Sequence, residues 1–264
     1  MSGYVSKAVA DIVLALRGWR VWVMLASTDI GKRYRRSRIG QFWITASMGM
    51  MVLGLGVLYS NIFGVAISEY LPYVAINIVL WGLIGGVVND GCIAFVEAEA
   101  YMKNIGLPKC SFVLRVAFRN LIITGHNFII VVAVILYFAI PVRPVSLLFI
   151  PALIVIVLNG VWIGLLLGTL SARFRDIPQT VASIMQVIFF ITPVMYHFKQ
   201  LGPKLQSVLD FNPFAAYLAI LREPLFGNVP RTHDIVFACL TLVVGWLVVL
   251  PFFGKFRDRI VYWL

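Results

Sequence analysis

The sequence predicts an all-α integral membrane protein with six transmembrane helices, an N-terminal amphipathic interface helix, and short re-entrant or gate helices between spans five and six. Three observations predict it. The 264 residues are 61% hydrophobic and only 12% charged, whereas a soluble domain carries about 25% charge. Apolar runs recur at close to the roughly 20 residues that cross a bilayer core as a helix. The basic residues that give the net charge of +11 fall mainly on one side of those runs, as they do in membrane proteins whose Lys and Arg stay in the cytoplasm.

The elements follow in order. Over residues 4–25, Val5, Val9, Ile12, Leu16, Trp19 and Val23 recur at helical spacing, which predicts one amphipathic helix lying at the membrane surface. Asp11 and Arg17 interrupt any apolar core there, so a cleavable signal peptide is not expected. A dense basic cluster, DIGKRYRRSRIGQ at 29–41, then abuts the uncharged run FWITASMGMMVLGLGVLYSNIF. Spans are expected over 41–63, 72–95, 116–140, 146–170, 178–196 and 234–253. Pro72 and Pro178 are read as first-turn prolines, and Pro141 and Pro144 as the break between spans three and four. Only Arg143, Lys199, Lys204, Arg222 and Arg231 among the 22 Lys and Arg residues lie in the outer segments. Both termini are therefore expected in the cytoplasm.

The whole chain, 1–264, reads as one transmembrane domain. It divides into a cytoplasmic interface helix and basic cluster (1–40), spans one to five (41–196), a periplasmic gate segment (197–232), and span six with a cytoplasmic tail (233–264). The inner loop EAEAYMKNIGLPK, 97–109, predicts a short helix ended by Gly106 and Pro108, able to receive a push from a partner. In the outer segment, LQSVLDF and NPFAAYLAILREPLF are apolar or amphipathic but too short to span. Backbone at such depth is tolerated only where protein or a watery cavity covers it.

Several chemistries are absent. There is no GxxxxGK[ST] phosphate loop, no HExxH and no GxSxG, so no catalytic residue, metal or cofactor is expected in this chain. Cys92, Cys110 and Cys239 lack metal spacing. Asp90 is the clear acidic residue within a span, and an intramembrane carboxylate is by default a functional candidate. A hydrogen-bonded packing role competes with that reading. Gly160, Gly164 and Gly168 form a small-residue stripe that admits close helix approach, within or between subunits. Asn120, Thr124 and Asn127 share a face of span three and suit either interhelical hydrogen bonds or a watery path. Aromatic residues suit sugar rings as well as lipid, so Trp43, Tyr59, Phe63, Phe189, Phe190 and Tyr196 join Asp90 as candidates to line a channel.

Three stretches carry a resemblance. DIGKRYRRSRIGQFW at 29–43, LSARFRDIPQTVASIMQVIFFITPVMY at 170–196 and FNPFAAYLAILREPLFG at 211–227 resemble, in this order, the motifs of permease subunits of bacterial polysaccharide ABC exporters. Thr28 departs from the pattern, which usually has Arg there, and Asp90 matches no motif. The resemblance implies a homodimer of six-span subunits bound to two copies of a P-loop ATPase that holds ATP and Mg. The cargo would be a polyprenyl-diphosphate-linked glycan, O antigen before capsule or teichoic acid, and nucleic acid is not a partner. It places Lys32, Arg33, Tyr34, Arg35, Arg36 and Ser37 at the portal for the lipid diphosphate headgroup. Glu97, Glu99, Tyr101, Lys103, Asn104 and Lys109 fall at the ATPase coupling helix, and Asn212, Pro213 and Arg222 at the outer gate. A related ABC permease for drugs or small lipids, and a polyprenyl-phosphate transferase, are the alternative functions.

Overall fold

A single 31-residue helix, α4 (Ile67–Glu97), runs through the centre of the molecule, and the other long helices pack around it. The computed structural model describes residues 2–34, 40–196 and 202–264. Ahead of α4 come α1 (Ser2–Arg17), α2 (Trp19–Tyr34) and α3 (Phe42–Phe63). After it come α5 (Glu99–Asn104), α6 (Cys110–Tyr137), a 3₁₀ turn (Pro144–Leu148) and α7 (Phe149–Arg173). The chain closes with α8 (Ile177–Ile191), α9 (Pro203–Asp210), α10 (Pro213–Leu225), α11 (Thr232–Phe256) and α12 (Ile260–Trp263).

Among the described residues, five helical segments, containing α3, α4, α6, α7 and α11, are long and apolar enough to cross a membrane. The chain is thus a multi-pass membrane protein. The expected fifth span over 178–196 is instead a 15-residue helix, α8. At 1.5 Å per residue it covers about 22 Å, short of the ~30 Å hydrocarbon core. The chain leaves helical geometry at Thr192, where the extended backbone of the Thr-Pro segment begins. The second span begins at Ile67, five residues before Pro72. That proline therefore lies inside the helix, not in its first turn. It leaves one backbone carbonyl of the preceding turn without an amide partner.

The N-terminal element also differs from the single helix expected over 4–25. Gly18 interrupts it, and a second helix carries the chain on to Tyr34. The face turned to the protein is the small-residue one, with Ala8, Asp11, Ala15, Ala26 and Ile30 buried. Val9, Leu16 and Trp19 of the expected apolar face are exposed.

Two apolar clusters form the interior. One holds α4 residues Tyr70 to Ile84 with parts of α6, α7 and α10. The other gathers Ala8, Phe95, Phe112, Leu165 and Phe253 at the end carrying both termini. The glycine stripe of α7 packs within the subunit, against α4. A Cβ on Gly164 would lie 3.4 Å from Gly91 Cα, and one on Gly168 would lie 3.0 Å from the Gly91 carbonyl. Gly254 of α11 meets α1 so closely that a Cβ there would sit 1.9 Å from the Tyr4 carbonyl oxygen.

Candidate functional site

At the end bearing the termini, α6 begins at Cys110, six residues before the apolar run that predicted it. The added residues bring Arg115 into the helix, on one face with Arg119 at i+4. Arg115 grips the Asp29 carboxylate with two hydrogen bonds, each 2.6 Å. Its guanidinium also lies 5.4 Å from the centre of the Tyr101 ring in α5. Arg119 reaches Asp90 and Glu97 at 3.1 Å each, and Asp29 at 3.6 Å. Asn120 donates to Asp90 at 2.9 Å. Asp29, Asp90, Glu97 and Arg119, with Ile30, Ile44, Ile93 and Ile123, line a cavity of about 390 Å³.

Asp29, the acidic residue of the basic motif, is therefore the anchor of that motif. The bidentate pair fixes both the position and the orientation of α2 on α6. Lys32 follows one turn later and is exposed. Arg33 and Tyr34 complete α2, but their side chains, and all of Arg35, Arg36 and Ser37, lie outside the described residues. Thr28 donates to the Met24 carbonyl within its own helix.

The predicted coupling residues separate into two sets. Glu99, Lys103 and Asn104 face outward on α5, with Lys103 paired to Glu99 at 2.6 Å. The hydrogen bond and charge of Lys103 hold the Glu99 carboxyl below the usual glutamate range. Glu97, Tyr101 and Lys109 are tied to neighbouring elements. Glu97 bonds Arg119, Tyr101 lies under Arg115, and the Lys109 amide donates to Asp11 at 3.1 Å. Asp11 also accepts from the Cys110 amide at 2.8 Å and lies 3.5 Å from Arg257. One buried carboxylate thus joins α1, the start of α6 and the C-terminal tail, where a helix N-terminus favours negative charge.

At the opposite end, the residues expected at the gate lie at the two ends of α10, where Asn212 meets Thr192 and Arg222 meets Pro193. Asn212 caps α10 by accepting from the Phe214 amide at 2.9 Å, and donates to Thr192 at 3.0 Å. It thereby links the end of α8 to the start of α10. Pro213 occupies the first turn of α10. Arg222 is buried over the Tyr73 ring, 5.4 Å from its centre, donates to its hydroxyl at 3.1 Å, and pairs with Glu223 at 2.7 Å. The Tyr73 hydroxyl also lies 3.0 Å from the Pro193 carbonyl and 2.7 Å from the Tyr196 carbonyl. Helix α10 itself is enclosed by α4, α7 and α11. Its Tyr217 bonds Asn159 of α7 and Thr241 of α11. Beside Arg222, a cavity of about 510 Å³ also takes in Glu69, Arg231 and Asp234. Arg231 holds Asp234 at 2.8 Å, and its hydrogen bond to that carboxylate keeps its guanidinium firmly charged.

The channel candidates do not form one wall. Tyr59, Phe63 and Tyr70 touch in sequence, with centroids 5.6 and 5.8 Å apart, and Tyr70 bonds the Met195 carbonyl. That chain reaches the turn holding Tyr196. Phe189 packs on Trp81 at 5.6 Å, and the exposed Phe190 packs on Phe189. Trp43 sits at the other end of α3, half-exposed, and Asp90 belongs to the Arg119 network. Asn120 takes part in an interhelical bond to Asp90, whereas Thr124 bonds its own helix. An apolar groove of about 590 Å³ opens between α7, α8 and α11. Sequence reasoning missed Arg115, Arg119, Tyr73 and Asp11.

Residues 20–226 match the family model described as ABC-2 type transporter. The match runs from α2 through α10. Two O-antigen export system permease proteins RfbA of Klebsiella pneumoniae are 22% and 21% identical to this chain. Each alignment spans 243 residues, 90% of this chain and 92% of the relative.

Proposed function

We propose, from the premise that this chain belongs to the ABC-2 type transporter family, that it forms the channel through which an ATP-driven exporter moves lipid-linked polysaccharide, of O-antigen type, out of the cytoplasm. The family makes it a transporter membrane subunit. The cargo is our reading, and the observation that carries it is the similarity to O-antigen permeases along nine-tenths of the chain.

In this reading both termini are cytoplasmic and two copies of the chain form the channel. Each copy works with one copy of an ATPase that holds ATP and Mg, and this chain holds neither. The exposed side chains of α5 meet that ATPase. The run Lys32 to Arg36 receives the polyprenyl diphosphate at headgroup depth, where a phosphate recruits clustered Arg and Lys. The docking of Asp29 on Arg115 supports this, because it gives the basic run a fixed origin. Helices α9 and α10 close the periplasmic mouth as a re-entrant gate, which the enclosure of α10 and the Arg222–Tyr73 contact support.

The test is genetic. Deleting the gene leaves lipid-linked polymer trapped in the cytoplasm, and plasmid-borne wild type restores it to the cell surface. Polymer that still reaches the surface in a deletion strain without a paralogue overturns the reading.

A further inference from the structure

We infer that Arg115 and Arg119 are positioning residues that carry a displacement of α5 to the basic end of α2. The inference rests on the reading of α5 as the contact with an ATPase.

The observations are geometric. Two side chains one turn apart on α6 hold four separate places. Arg115 holds Asp29 of α2 by a two-pronged bond and covers Tyr101 of α5. Arg119 holds Asp90 in α4, Glu97 at the last turn of α4, and Asp29 again. One buried residue, Ala98, separates Glu97 from the start of α5. A shift of α5 therefore pulls on both arginines, one through Tyr101 and the other through Glu97. Both arginines end on the same carboxylate, Asp29.

The chemistry favours transmission over slack. The side chains of Arg115 and Asp29 are only 9% and 15% exposed. Separating a buried pair strands two charges away from water, which is costlier than moving them together. The planar guanidinium fork fixes angle as well as distance, which a lysine does not. Asp29 lies three residues before Lys32, so a tilt at the anchor swings Lys32 and the end of α2. A staple that merely held α2 in place would need the Arg115–Asp29 pair alone. The additional contacts to Tyr101 and Glu97 bring in the element that moves.

The experiment uses the complex with its ATPase in lipid nanodiscs and sealed vesicles. Spin labels at S27C or K103C are each paired with one at V142C, in a C239S background. Distances are measured with and without ATP. In the wild type, ATP shifts both distances. In Arg115→Gln, position 103 still shifts and position 27 no longer does. ATP hydrolysis then stays within about twofold, while glycan moved per ATP falls at least about fivefold, the scale of a mutational coupling change. Asp29→Asn gives the same result and preserves side-chain volume. The double variant is no worse than the worse single one. The inference is overturned if position 27 keeps shifting in both variants, if hydrolysis and transport fall in proportion, or if neither variant assembles. Should the wild type move no glycan while position 27 follows position 103, the cargo reading fails and the relay stands. Should it move glycan while position 27 stays still, the relay fails alone.

Discussion

Asp11 accepts a hydrogen bond from the backbone amide of Cys110 across 99 positions of sequence, at 2.8 Å. Helix α1 thus caps α6, a task usually left to the residue preceding a helix. Replacing Asp11 by Ala removes that cap and one partner of Arg257 together. A lost cap costs about 1 kcal/mol, and Arg257 keeps Asp258 and the Lys7 carbonyl as partners. Asp11→Ala is expected to lower the melting temperature of the purified protein by several degrees, with Asp11→Asn falling between it and the wild type. Thermal unfolding in detergent, followed by size-exclusion chromatography, checks this.

The seam between α4 and α7 predicts a second loss. Gly91 and Gly164 meet backbone to backbone, and a Cβ on Gly164 would also come 2.7 Å from Val113. Gly164→Ala is expected to destabilise the subunit by about 1–3 kcal/mol through overpacking. Gly125, which has nothing within 4 Å of a built Cβ, is the control. Its alanine variant is expected to melt within about 0.5 kcal/mol of the wild type, as surface changes do.

The Tyr73 hydroxyl holds the turn that follows α8. Tyr73→Phe removes the one O–H shared by the Pro193 and Tyr196 carbonyls and one acceptor of Arg222, at about 1–3 kcal/mol for a buried group left unpaired. Val194 in that turn is fully buried. A cysteine placed there is expected to react with a maleimide about tenfold faster in the Tyr73→Phe background, in a C239S protein. Labelling kinetics measure it.

The basic run predicts graded recognition of a diphosphate lipid. Each of Lys32, Arg35 and Arg36 changed to Gln is expected to weaken retention of polyprenyl diphosphate by about 1 kcal/mol, the worth of one basic residue at a charged surface. The decline is expected to exceed that for phosphatidylserine, and to shrink as salt rises. Equal losses on both lipids would leave the cluster as an orientation signal alone.

Much of this architecture was legible in the chain. The lengths of the apolar runs located α3, α6, α7 and α11, and Gly106 and Pro108 bounded α5. What they could not give was where helices end. Apolar length reports hydrocarbon thickness, and α6 continues beyond it as a protein-packed helix. Arg115 is therefore a buried side chain that the sequence presents as a loop charge. Asp90 was legible as unusual, but its partners lie on α6, and no spacing in one dimension pairs them. The opposite error befell α8. Its sequence is apolar to Val194, yet the extended Thr192 ends the helix early. The break at Gly18 was equally available as a glycine and was overridden by an apolar period that runs through it.

The shortness of α8 has a mechanical consequence. It advances about 22 Å from one side and α10 returns about 20 Å from the other, pinned together by Asn212 and Thr192. The seam is two short pegs joined by a polar dowel. Separating them requires the pegs to slide past each other and the dowel to let go, while no continuous rod has to bend.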